Sequence, residues 1–315
     1  MCLINRPETF VFIAGIAGIA GSHQTIAVRP GFSRERGNMK LTKPDTAALN
    51  EAYQRLENPS LAIQLSSAAG MPVETVLKTL ARRVPESVMD AVRQSSQKSL
   101  HYVMSNTTRT LKDQVLVSAS PRLHQAAVMA TGAVGGLFGV HALVIELPIT
   151  TSIMFRSIVD IARAEGEMPR DSDTLLNAMQ VFAMGSGMSD KDDAAETSYY
   201  GVRLALSAAV SNAMEQLAIH GLNKASSPAL LRLVSAIASR FGIVVTQKTM
   251  AQALPVVGAL GGATINTMFI HHYQEMARGH FTVRRLERKY GAETVREAYQ
   301  RLGPSPGKVI DVSGK

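Results

Sequence analysis

The chain has 315 residues, of which 46% are hydrophobic and 18% charged, a formal net charge of +8 and a single cysteine, Cys2. This excludes a disordered polymer, an internal disulfide framework and any cysteine-based zinc cluster. Aromatic residues are only 5% and Trp is absent, which disfavours stacking platforms and with them nucleic-acid binding.

The length suits one large domain or two interlocked halves. The mean hydropathy of +0.06 is high for a soluble protein and low for a multi-span transporter, as for apolar helices that touch a bilayer. A pI near 9.7 is compatible with an anionic membrane surface.

Residues 10–20, FVFIAGIAGIA, are too few to span a bilayer as a helix. Arg6 and Glu8 before them, and the aperiodic stretch after them, make residues 1–38 read as an over-extended start that folds poorly. A cleaved signal peptide is the alternative. Met39 opens what looks like the folded domain, in a reducing cytoplasm, with the inner membrane face as a docking place.

From Asp45 onward the pattern is helical, and at least three-quarters of the ordered residues are expected in helices. Asp45 after Pro44 is expected to cap a first helix over 45–57, with Leu49, Tyr53 and Leu56 on one face. Pro59 breaks it, Ser60 can cap the next helix, Gly70 ends that one, and Pro72 opens another. Pro85 opens a long segment to about Val117, with Val88, Val92, Leu100 and Val103 near one face. No run alternates with period two, so the expected class is all-α. The expected form is a single large helical domain around central Gly-rich apolar helices or hairpins.

Residues 126–145, AAVMATGAVGGLFGVHALVI, hold no Lys, Arg, Asp or Glu. By length they are a transmembrane candidate; a buried central hairpin is the other reading. Gly132 and Gly136, and Gly135 and Gly139, stand four apart, which brings bare backbone to one helix face for close packing; alternatively Gly135-Gly136 is a turn. The Lys-Ser/Thr ending of a phosphate loop is missing.

A second apolar block, 249–270, repeats the glycine pattern at Gly258, Gly261 and Gly262, which suggests two pseudo-repeated halves. A polar stripe follows each block: Arg156, Asp160 and Arg163, then His271, Glu275 and Arg278, each at i, i+4 and i+7. An acid three residues before an arginine is a reasonable intrahelical pair. Lone charges in apolar helices are costly, so Asp160, Arg163, Glu275 and Arg278 are expected in one largely buried polar seam. His280 is a further candidate for this ligand seat.

His271 and Glu275 share a helical face and could share a metal, although the zincin pattern is not met. Asp190, Asp192, Asp193 and Glu196 could hold a divalent cation, but after Ser189 they equally read as a helix start whose acids complement the macrodipole. Ser186, between two glycines, lacks the strand-turn-helix setting of a nucleophile elbow. Arg284, Arg285, Arg288 and Lys289 could meet phosphates or anionic lipid headgroups, or form a solvated face.

Several segments together resemble the EcsC family, mostly uncharacterised bacterial proteins. They are His280 to Gly291 preceded by Met276-Ala-Arg278, Asn58 to Ile63, Gly132 to Gly136, and Glu146-Leu-Pro148. Arg156 to Arg163, and Asp192 to Glu196 with Tyr199-Tyr200, complete the set. They lie in order over roughly residues 40 to 303. The family takes its name from a protein encoded beside the subunits of an ABC exporter, which implies membrane-linked physiology. Some members have been labelled peptidase-like. A zinc peptidase of that type needs His-x-x-x-Asp and His-x-His, and here His271-x-x-x-Glu275 and adjacent His271-His272 stand instead.

No reaction or cofactor follows from these residues. The expected function is a membrane-associated, non-enzymatic helical protein; a scaffold on a membrane transport complex rests on family analogy alone. The alternative is a hydrolase or metal-dependent enzyme using the His and acids of the polar seam.

Overall fold

From Lys43 to Gln300 the described chain is a succession of helices. The computed structural model describes residues 40–57, 61, 85–113, 140–169, 171–186, 198–220, 227–252 and 262–303. Eight α-helices are seen among them: α1 (Lys43–Glu57), α2 (Glu86–Asp113), α3 (Val140–Ala164), α4 (Ser172–Gln180), α5 (Tyr199–His220), α6 (Pro228–Gln252), α7 (Gly262–Tyr290) and α8 (Ala292–Gln300). A 3-10 turn, Val181–Ala183, follows α4. The described residues contain no strand and are 89% helical, as the three-quarters expectation required.

Local sequence accounts for most helix limits. Pro85 precedes α2, where a missing N–H costs nothing. Gly291, at φ 89°, separates α7 from α8, a conformation that glycine adopts without strain. The first helix starts two residues earlier than expected, at Lys43. Its cap is Thr42, not Asp45: the Asp45 amide donates to Thr42 Oγ1 at 3.4 Å and that hydroxyl donates back to the Asp45 carboxylate at 2.8 Å. The Thr42 amide itself donates to the Tyr290 hydroxyl of α7 at 3.3 Å. Asp45 is then free to reach another helix.

The long apolar blocks are cut differently from the sequence pattern. The 126–145 block lies outside the described residues up to Val140, where α3 begins and runs on through Glu146 and Pro148. Pro148 removes one backbone bond, from its own nitrogen to the carbonyl four residues before it; the Thr151 and Ser152 hydroxyls bond later carbonyls, those of Leu147 and Pro148. The 249–270 block is divided between the end of α6 and the start of α7. Gly132 to Gly139, Gly258 and Gly261 are outside the described residues, as are 58–60, 62–84 and the chain before Lys40.

Helix α7 is the central post. It touches α1, α3, α6, α8 and the 3-10 turn, and residues on all its sides are buried, from Ile265 and Phe269 through Met276 and Phe281 to Leu286. At its middle Phe182 of the 3-10 turn meets Phe241 of α6 and Tyr273 of α7 with ring centroids 5.2 Å apart in each case. Partner numbers rise together along α3 and α7 (Glu146 with Asn266, Ser157 with Gln274, Glu165 with Thr282), so these two helices run parallel. Helix α1 lies antiparallel to α7: Asp45 bonds Lys289 while Arg55 pairs with Glu275.

Candidate functional site

The first stripe does not enter a buried seam. Arg156 and Arg163 are exposed and Asp160 is half-buried. Glu275 and Arg278 do pair, but near the surface, where Glu275 also takes Arg55 Nε of α1 at 2.8 Å. His271 is half exposed, with Nε2 3.9 Å from the Glu275 carboxylate. The expectation of one largely buried cluster of Asp160, Arg163, Glu275 and Arg278 is therefore corrected. The helical spacing is right, but the faces that α3 and α7 turn to each other carry Ser157 and Gln274.

The buried polar seam lies one to three turns nearer the start of α7. Lys248 of α6 is fully buried, and its Nζ is 2.7 Å from Glu146 Oε1 of α3. Asn266 of α7 donates to the same oxygen at 2.9 Å, and the Lys248 ammonium sits 5.0 Å from the Phe269 ring centroid. Burial pulls the Lys248 ammonium below its ordinary range, and the Glu146 carboxylate opposes that pull. Isolated ionisable residues at the margins of uncharged blocks were the available signal: Glu146 ends the first block and Lys248 immediately precedes the second. Their partnership, across 102 positions, was not legible.

A second network surrounds His280. Arg203 of α5 donates to the Tyr199 hydroxyl at 3.1 Å, and that hydroxyl lies 3.0 Å from His280 Nδ1. Arg203 also holds both oxygens of Glu287, at 2.7 and 3.1 Å, and Tyr200 donates to Glu287 at 3.2 Å. Tyr299 donates to Glu57 at 2.8 Å. Burial, with Arg203 and Arg284 nearby, holds His280 well below the usual histidine range, and burial pushes the Tyr199 and Tyr299 hydroxyls up beyond any physiological ionisation. His280 is thus a neutral, enclosed member of this network.

The basic run at the end of α7 is engaged within the protein. Arg284 bonds Glu167 at 2.9 Å and Asp173 at 2.6 Å. Arg285 bonds Glu165 at 2.6 Å and Arg288 pairs with Glu167. Lys289 bonds Asp45 at 2.7 Å, and Tyr290 donates to the same carboxylate at 2.6 Å. These bonds hold Asp45 well below the usual carboxylate range, Lys289 contributing most. The run therefore ties α7 to α1, α4 and the α3–α4 loop.

Among the described residues no group of three or more His, Cys, Asp or Glu is placed to hold a metal. Asp190, Asp192, Asp193 and Glu196 lie outside them. Ser186 is buried at the end of the described segment, beside Gly185.

The family model for the EcsC protein family matches residues 61–286. The chain belongs to the EcsC family. The match spans α2 to most of α7, and so both Glu146–Lys248–Asn266 and the Tyr199–His280 pair. No curated protein and no solved structure matches the chain.

The outer surface of this EcsC protein has an uneven charge distribution. On α5 the exposed positions include Leu204 and Ile219, at 76% and 64% exposure, with alanine and serine between them. Over residues 199–219 of α5 Glu215 is the only exposed charge among the described side chains, because Arg203 turns inward to Glu287. Helix α6 packs on α5 and exposes Leu231 and Ile243. Residues 228–251 of α6 are the one stretch among the described residues long and apolar enough to cross a membrane, with mean hydropathy 1.6 over the most apolar 18 residues.

Proposed function

We propose that this EcsC family member is a membrane-associated helical protein that acts by binding, without catalysis, at the inner face of the membrane. The observation that carries the reading is the apolar outer surface of α5 and α6. Most apolar residues of α6, among them Leu233, Ile237 and Phe241, are buried, but Leu231 and Ile243 stand exposed, as do Leu204 and Ile219 of α5. Exposed apolar surface of this kind marks an interaction with lipid or protein. The scarcity of charge along exposed α5 supports lipid, since a bilayer penalises charged groups. A link to membrane transport or envelope physiology rests on the family resemblance.

Fractionation of cells expressing the full chain tests the proposal. The protein is expected in the membrane pellet. Release by a salt wash would indicate electrostatic attachment, and retention through it would indicate apolar insertion. Recovery entirely in the soluble fraction, before any wash, would refute the reading.

A further inference from the structure

Helices α2 and α6 run antiparallel, with Ser96 and Val92 beside Gly242 at one end of their contact and a cleft at the other. The cleft has a volume of about 610 Å³, within the size range of small-molecule sites. Its α2 wall carries Gln97, Lys98, His101 and Tyr102, and its α6 wall carries Leu231 and Ser235. Among the described residues no carboxylate lines it.

The cationic group in this cleft differs from those at the end of α7. Arg284, Arg285, Arg288 and Lys289 each meet an acid. Lys98 is exposed and has no acidic partner among the described residues. Arg232, next to Leu231, is likewise exposed. The donors and the Lys98 charge thus stand on the α2 wall, with no carboxylate among the described lining residues. The same wall holds Tyr102, 51% exposed, and the facing α6 wall holds Leu231, 43% exposed.

We propose that this cleft seats the headgroup of an anionic phospholipid. The inference rests on the membrane reading above and supplies its ligand chemistry. Lys98 meets the phosphate, with Gln97 and His101 as further donors, while the first acyl methylenes lie along Leu231. Tyrosine and lysine beside apolar side chains suit the headgroup level of a bilayer, where a ring stays half wet and a lysine stem lies along apolar surface while its ammonium reaches phosphate. A free soluble phosphate would use the donors but would leave the exposed apolar wall without a partner. Among the described residues, the helix that provides this wall is the one long and apolar enough to cross a membrane by length and composition.

The test is flotation of the full chain with vesicles of phosphatidylcholine alone and of phosphatidylcholine mixed with phosphatidylglycerol. Binding is expected to favour the anionic vesicles. Lys98→Glu, at an exposed position and with unchanged thermal melting, is expected to weaken that binding roughly tenfold or more. Arg301→Glu, just after α8 and outside the cleft, makes the same charge change and is expected to have a much smaller effect. Equal loss in the two variants would show diffuse attraction and overturn the seat. Wild-type binding to both vesicles with no effect of Lys98→Glu would overturn the seat and leave membrane association standing. Binding to neither would overturn both. Inorganic phosphate, compared at constant ionic strength, should not displace the protein; displacement would overturn the assignment to lipid.

Discussion

Replacing Glu146 with alanine strands the Lys248 ammonium in the core. The variant loses the 2.7 Å ion pair and the acceptor of the 2.9 Å bond from Asn266, and Lys248 has no exposed surface through which water could compensate. Breaking a buried pair by removing one partner costs about 3–5 kcal/mol. Proton chemistry sets an independent ceiling. Lys248 can shed its proton, and at pH 7 this costs about 5 kcal/mol from an ordinary lysine pKa of 10.5, at about 1.4 kcal/mol per unit. The two figures agree, so Glu146→Ala is expected to lose about 3–5 kcal/mol at pH 7.

The ceiling also sets a pH dependence. In the variant the native lysine is neutral and the unfolded one is protonated, so unfolding takes up a proton and native stability rises with pH. At pH 9 the ceiling falls to about 2 kcal/mol, and the deficit relative to wild type should narrow accordingly. Urea unfolding followed by helical circular dichroism at pH 7 and pH 9 measures both quantities. A deficit under about 1 kcal/mol at pH 7, the size of an ordinary single substitution, would refute the reasoning. A deficit of 3–5 kcal/mol that did not change with pH would refute the protonation argument. The double variant Glu146→Leu with Lys248→Met should recover much of the loss, because apolar side chains of similar size need no partner.

Two further outcomes follow from the core. Gly185 has φ 71°, and a Cβ there would lie 2.6 Å from the buried His272 ring, so Gly185→Ala is expected to cost about 1–3 kcal/mol; an unchanged melting temperature would show that the ring yields freely. His280 stays neutral in the native state, whereas an unfolded histidine takes a proton below about pH 6.5. Its contribution is therefore present at neutral pH and is lost as pH falls through that value, by up to about 1.4 kcal/mol per unit. The stability difference between wild type and His280→Gln should shrink between pH 7 and pH 5, and a constant difference would exclude this linkage.

The amino-acid order determined the class of fold and many element limits without help from packing. Apolar spacing near 3.6 along Val92, Leu100 and Val103 describes one helical face whatever lies opposite, and all three are buried. Pro85 and Gly291 act through their own backbone geometry, so their effect is local. The order of family segments likewise survives translation into structure, since membership depends on residues and spacing.

Contacts between helices were decided by tertiary structure. Matched spacing of Asp160 and Arg163 with Glu275 and Arg278 specifies which side chains share a face, but not which helix meets that face. Parallel packing of α3 and α7 brings Ser157 to Gln274 and leaves Arg156 and Arg163 exposed. The basic run on α7 reads as an open cationic surface until α1 and the α3–α4 loop supply Asp45, Glu165 and Glu167. A lysine inside an apolar helix declares that it needs a partner, because burying its charge alone is prohibitive. Only the close approach of α3, α6 and α7 determines that the partner is Glu146.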